Sequence, residues 1–453
     1  MGGLSDFVDG MCSVQAQFRN VDIILTTCSD SKLKLFDNSK KYTVNFKNFE
    51  FISTVYSKNE KNKNIHYIDL DFIDSSIQSA YSENEDQAYL QLMIKSLVAT
   101  EIINEIKRLN SKIICHEWPT SFLFLHKELI ALPMYFIVHN FQHQGPISLG
   151  AISNLPKDYR IKLYNIYEKY NYISMSHFAI HMCDKLITVS NNYLNELQNG
   201  FSLHPYDDIF KMNSFKSFAV VNPVKKNFMH NYKYKENIQE LLDNKKTMKD
   251  KIKNDLNIKQ EKLIVFISRP CEQKGFHLFL NEKEFWFYKK LRKLGYAIIF
   301  YGDSGVKITN FKIKKKFEPL LKKYDHIKIL QDYNDEYASQ LFLAADIQLM
   351  PSLYEPCGLS QQYAMLNGTI PIVNPVGGLK ETVINESESS DKGTGFWIDE
   401  YNLKGILDKI LEANIILLDK VKKESMIHRM LLAPKYWDDV YEKYQSIFDD
   451  KCS

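Results

Sequence analysis

Residues 344–383 read AADIQLMPSLYEPCGLSQQYAMLNGTIPIVNPVGGLKETV, and this stretch decides the fold. Ile347 to Met350 form a short apolar run closed by Pro351, the pattern of a buried strand. Tyr354 to Gly358 is too crowded with turn residues to be regular. Leu359 onward resumes helical spacing through Tyr363, Ala364 and Leu366, and Gly368 is the expected C-cap. Pro371-Ile372-Val373 reads as a second strand and Gly377-Gly378 as a turn. Glu355 therefore sits at the end of a parallel strand, directly before a helix N-terminus. Open α/β folds bind ligands at that place, and free N–H groups there favour a phosphate. An ordinary strand-to-helix turn with a surface glutamate fits the local pattern equally well.

The same grammar runs outward in both directions. Lys262 to Ser268, KLIVFIS, starts an α/β unit and leads into Arg269-Pro-Cys-Glu-Gln-Lys274-Gly275. Two cations five residues apart in such a turn suit a diphosphate, or are simply two surface charges. No GxxxxGK[ST] is present, which excludes a P-loop. Ala297 to Asp303 is a further strand with a turn at Gly302. Nearer the start, Lys112 to Cys115 is a strand ending in His116-Glu117-Trp118, and Met134 to Val138 ends in His139-Asn140-Phe141-Gln142-His143-Gln144-Gly145. Polar groups gather at both strand ends, where a structural His-Glu pair and a capped turn are the plainer readings. His139 and His143 have no regularly spaced third ligand, which argues against a metal site.

Phe7 to Phe18 predicts a helix, Val21 to Leu25 a strand, and residues 30–75 a set of short strands broken by Lys/Asn-rich turns. Gln87 to Leu109 is an amphipathic helix with Met93, Ile94, Leu97 and Ile106 on one side. Ser176 to Asp184 predicts a helix, Lys185 to Ser190 a strand, and Val220-Val221-Asn222 a strand end. Residues 225–262 carry many Lys and Asn and read as a solvated linker and helix rather than a nucleic-acid surface. Trp437 to Phe448 predicts a final amphipathic helix.

At 453 residues the chain is long enough for two domains, each with its own core. Its 45% hydrophobic and 25% charged residues are those of a globular protein, and a net charge of +3 gives no global case for nucleic-acid or membrane binding. The seven cysteines are odd in number and lack CxxC spacing, which predicts a reducing compartment without disulfides or a zinc site. No apolar run approaches the roughly 20 residues that cross a bilayer, and the start lacks a signal-like segment. The expected location is cytoplasm or plastid stroma, not secreted.

Glu355-Pro356-Cys357-Gly358-Leu359, the Ala364-Met365 helix and Pro371-Ile372-Val373 followed by Gly377-Gly378-Leu379 resemble the donor-site signature of bacterial and plastid glycogen and starch synthases. These are retaining glucosyltransferases. The resemblance implies two Rossmann-like, doubly wound α/β domains facing across a cleft (GT-B type). The expected division is residues 1–225 on the acceptor side and 226–453 binding the nucleotide sugar, with the last helix packing back on the first domain. It implies that Glu355, His139, Arg269 and Lys274 are catalytic, with Arg269 and Lys274 matching the family's Arg-x-x-x-x-Lys-Gly element on the donor diphosphate. Gly2, Gly3, Gly302, Cys357, Gly358, Leu359, Gly377 and Gly378 would line the donor, and Glu117, Asn140 and Asn222 would contact sugar or acceptor.

Three departures are visible. The family's His-Asp-Trp-His is His116-Glu117-Trp118 here, its His-Asn-x-x-Tyr-Gln-Gly has His143 for Tyr, and its Asn-Gly-Ile-Asp has Pro223 for Gly and Lys225 for Asp. The family also places a β-strand and a Lys ahead of Gly2-Gly3, so the first strand of the N-terminal domain and that Lys are expected to be missing. The implied reaction moves glucose from a nucleotide-glucose, ADP-glucose favoured over UDP-glucose, to the non-reducing end of an α-1,4-glucan (glycogen or starch) with retention. No cofactor or metal is implied, because protein cations meet the diphosphate. The alternative is a weak or inactive synthase paralogue that binds glucan or a partner protein.

Overall fold

Apolar strands that alternate with amphipathic helices build parallel sheets, because each parallel pair needs a crossover. A computed structural model describes residues 3–25, 34–46, 49–70, 85–153, 155–170, 173–200, 208–225, 237–280, 285–303, 315 and 317–449. The chain divides into two compact units. One comprises Met1–Val189, Leu194–Val220 and Val440–Ser453, the other Ser190–Tyr193 and Val221–Asp439.

The first unit opens with a helix, Gly3–Gln15, and β1, Val21–Leu25. Three strands follow: β2, Asn38–Phe46; β3, Phe49–Glu60; and β4, Lys63–Leu70. The sheet order is β1-β4-β3-β2, with β1 parallel to β4 and the other pairs antiparallel. The strands are longer than the short segments expected over residues 30–75. The Lys and Asn residues that read as breaks lie largely within the paired strands, and Lys61-Asn62, with Lys61 at φ 51°, turns β3 into β4. A helix, Glu85–Ile106, packs on β2 and β4, where its Glu105 takes Lys40 Nζ at 2.7 Å and Tyr42 Oη at 2.8 Å.

The second sheet of this unit is wholly parallel: β5, Ile113–His116; β6, Met134–Val138; β7, Lys185–Thr188; and β8, Ser217–Ala219, in that order. The helix expected over Ser176 to Asp184 spans Met175–Met182, where Ser174 caps it by accepting from His177 N. The strand end expected at Val220 to Asn222 falls at Ala219. β6 and β7 are buried along their whole length, whereas β1 is half-buried or exposed throughout. Among the described residues β1 pairs only with β4 and β5 only with β6, so both are edge strands.

The second unit carries one six-stranded parallel sheet. Its strands are β9, Lys262–Ile267; β10, Tyr296–Tyr301; β11, Ile327–Leu330; β12, Ile347–Met350; β13, Ile370–Val373; and β14, Phe396–Trp397. The order β11-β10-β9-β12-β13-β14 is doubly wound and reverses direction between β9 and β12. Alternate residues of β9 and β10 serve opposite faces. Ile264, Phe266, Ile298 and Phe300 join one core, while Leu263, Val265, Ile267, Ala297 and Ile299 join the other. The expected linker helix spans Ile238–Asp255, capped by Asn237, and the final helix is Trp437–Asp449.

Candidate active site

The reversal between β9 and β12 brings two strand exits together in the second unit. Ile347 and Gln348 of β12 pair with Ile264 and Val265 of β9, so both chains leave the sheet at the same edge. β9 runs out into two short 3-10 turns, Glu272–Lys274 and Phe276–Phe279. β12 runs out through Pro351 and Ser352 into the 354–358 turn, and the expected helix spans Ser360–Leu366.

Three contacts stitch the exits. Leu353 N donates to Gln273 O at 2.8 Å, and Gln273 Nε2 reaches Tyr354 O at 3.4 Å. At the third, Lys274 Nζ meets Glu355 Oε2 at 2.5 Å, where Ser352 Oγ also donates at 3.1 Å. Only 16% of the Lys274 side chain and 8% of the Glu355 side chain is exposed. The alternative of a surface glutamate therefore fails, because the carboxylate is enclosed and paired. Ser352 was missed by the motif reading. Its one signal is its place between the Pro351 that closes the strand and Glu355.

Gly377 and Gly378, read from the sequence as a turn, instead open a helix, Gly377–Thr382. Gly378 N donates to Glu355 O at 2.9 Å, and a Cβ on Gly378 would lie 2.3 Å from Cys357 Cα. That close approach requires glycine and fixes the backbone under the carboxylate. Gly358 has φ +76°, and Gln361 Nε2 bridges Cys357 O at 3.1 Å, Gly358 O at 2.9 Å and Thr382 Oγ1 at 2.8 Å. Leu359, the helix N-cap, offers the first turn no side-chain acceptor, so its amides keep no internal cap. The Cys357 thiol is buried and its pKa is pushed up by that burial, so it packs rather than reacts.

Arg269 lies exposed on the same β9 exit. Beside it is a shallow hollow lined by Ser268, Pro270, Phe276, Tyr301, Gly302 and Gln331. Gly302 N donates to Leu330 O at 3.2 Å, joining the β10 and β11 exits. Asn222 is buried, its carbonyl accepts from Gln362 Nε2 at 3.0 Å, and its Oδ1 has no hydrogen-bond partner among the described residues.

The first unit holds the remaining residues at the ends of β5 and β6. His116 Nδ1 and His139 Nε2 share a hydrogen bond of 3.1 Å, with ring centroids 5.4 Å apart. Phe7, from the opening helix, stands edge-on to both, 4.6 Å from His139 and 5.8 Å from His116. Burial holds His116 down at about 4 and His139 well below the usual imidazole value, so both rings are neutral at pH 7. Glu117 Oε1 accepts from His139 N at 2.5 Å and Asn140 N at 2.8 Å. Burial pushes its acid up to about 8 against the pull of those amides. Asn140 Oδ1 accepts from Gln142 N at 3.2 Å. Gly3 opens the first helix, and Gly2 lies outside the described residues. Among the described residues no cluster of three His, Cys, Asp or Glu is placed to hold a metal, and no helix is long and apolar enough to cross a membrane.

Comparison with known proteins covers both units. A family model for the starch synthase catalytic domain matches residues 1–212, and one for glycosyl transferases group 1 matches residues 248–427. The chain is 26% identical over 446 residues to a glycogen synthase of Hydrogenobaculum sp., covering 93% of this chain and 88% of that protein. It is 25% identical over 471 residues to a glycogen synthase of Flavobacterium johnsoniae, covering 99% and 96%. In fold it is similar to the catalytic domain of starch synthase IV from Arabidopsis thaliana bound to ADP and acarbose, with a TM-score of 0.84 and 21% identity over 100% of this chain and 96% of that one.

Proposed function

Since this chain belongs to the glycogen and starch synthase family of glycosyltransferases, we propose that it elongates an α-1,4-glucan from a nucleotide-glucose, with ADP-glucose preferred and the anomeric configuration retained. The observation that carries the reading is the Lys274–Glu355 pair, enclosed at the carboxyl edge of the sheet where its strand order reverses.

The bond between the anomeric carbon and the diphosphate breaks with its electrons on the phosphate oxygen. Negative charge grows there, and positive charge grows on the sugar ring. Lys274 and the exposed Arg269 supply fixed cations for the first. Glu355, oriented by Lys274 and Ser352, holds sugar hydroxyls and tolerates the second. The acceptor hydroxyl forms the new bond to the anomeric carbon, and its proton passes to the departing phosphate. The glycine edge around Gly358, Gly377 and Gly378 lets the donor approach the backbone. The β10 exit at Gly302 borders the nucleotide. Neutral His139 serves as a hydrogen-bonding partner for the transferred sugar. Protein cations meet the diphosphate, so no metal is required.

The test is glucosyl incorporation into glycogen from each donor separately, with Glu355→Ala as control. Incorporation from ADP-glucose that vanishes in the variant supports the reading. No incorporation from a folded protein that still binds glucan overturns it in favour of a binding role.

A further inference from the structure

Glu117 occupies a backbone conformation that ordinary residues avoid. Its φ of 62° and ψ of 168° fall in a region open essentially to glycine, where a side chain is strained. The chain has not relieved that strain with glycine. The half-buried side chain places one oxygen, Oε1, on two successive amides, His139 N and Asn140 N. Its own N–H donates to Ile137 O at 3.1 Å, so Glu117 is tied to β6 both before and after the turn. The residue gripped from behind by this clamp is His139, whose ring is held from the front by His116 and from the side by Phe7.

We propose that Glu117 is a positioning residue for His139 and not itself a sugar contact: its carboxyl group fixes the 139–140 backbone so that the imidazole stands in one orientation, hydrogen-bonded to His116. The inference rests on the proposed transferase reading and deepens it. An oxygen committed to two successive amides acts through the backbone it holds. The neutral imidazoles share one hydrogen between Nδ1 of His116 and Nε2 of His139, which sets the tautomer of the pair.

Three variants test it. Glu117→Gly removes the clamp and the strain together, and kcat falls about 100-fold with donor and glucan KM within about threefold, the scale of a misplaced reacting group. Glu117→Gln keeps an oxygen for both amides, and kcat stays within about threefold of the parent. Glu117→Gly in a His139→Ala background lowers kcat no further than His139→Ala alone, because the clamp has nothing left to position.

An unchanged kcat in Glu117→Gly overturns the proposal, as do multiplying effects of the two substitutions. A more than tenfold rise of KM in Glu117→Gln with kcat intact would instead make Glu117 a substrate contact. Should Glu117→Gly not fold, Glu117→Gln decides: kcat and KM both within about threefold of the parent support the clamp, and a KM raised more than about tenfold overturns it. The ring nitrogen NMR signals of His116 and His139 separate this from the transferase reading. They move in Glu117→Gly whether or not the parent transfers glucose, and signals that stay put overturn the clamp.

Discussion

Gly275 lies so close to Pro351 that a methyl group at its Cβ position would stand 2.0 Å from the Pro351 carbonyl oxygen, and its φ of +76° is itself left-handed. The next residue back is Lys274. The β9 exit can therefore reach Glu355 only because glycine follows the lysine. Gly275→Ala must push the two exits apart. The expected cost is about 1–3 kcal/mol of backbone strain before the clash is counted. Turnover should fall at least tenfold, read from initial rates beside a thermal melt.

The Lys274–Glu355 pair makes a second prediction. Removing one partner of an enclosed ion pair leaves an uncompensated charge and costs about 3–5 kcal/mol, whereas replacing both costs far less. Lys274→Met and Glu355→Leu should each lower the denaturant midpoint, and the double variant should recover much of the loss. None of the three should transfer glucose.

Glu117 gives a pH dependence with a definite sign. Its acid is raised from 4.5 to about 8 in the folded chain. Below the lower value both states are protonated and the contribution is fully present. As pH rises towards the upper value the unfolded chain ionises first, so stability is lost across that window and levels off above it. Glu117→Gln does not titrate. Its melting temperature should therefore gain on the parent from about pH 5 to about pH 8 and run parallel beyond.

Lys245 predicts a purely structural effect. Its ammonium nitrogen is buried among four acceptors: Leu343 O at 3.1 Å, Ala345 O at 2.7 Å, Asn367 O at 2.9 Å and Thr369 Oγ1 at 2.9 Å. Burial drives its pKa well below the usual value. These acceptors precede β12 and β13, at the sheet edge opposite Glu355. Lys245→Met should cost about 3 kcal/mol by stranding buried carbonyls, with kcat at 25 °C unchanged in the folded fraction.

The strands that frame the site were legible because each is a short apolar run stopped by a turn residue. β12 matches Ile347 to Met350, and β6 matches Met134 to Val138. What the sequence could not show is which polar groups spend themselves on one another. Lys274 and Glu355 lie in separate motifs, and only the order β9-β12 makes them neighbours. Glu117 reads as a sugar contact by its motif, and the unusual φ that turns it inward leaves no mark in composition. Residues 38–70 were misjudged for a different reason. Lys and Asn on exposed faces of long hairpins look like turns when no partner strand is in view.

The reversal of strand order also governs how the second unit assembles. β9 and β10, β10 and β11, and β12 and β13 join neighbours in the sequence, but β9 and β12 join only after two intervening strands have been set aside. Closing that loop is the long-range, entropically slow event in the unit. Lys274 and Glu355 sit on either side of the seam it closes. The Lys274–Glu355 pair therefore cannot form before that seam closes, and during refolding no recovery of activity should precede it.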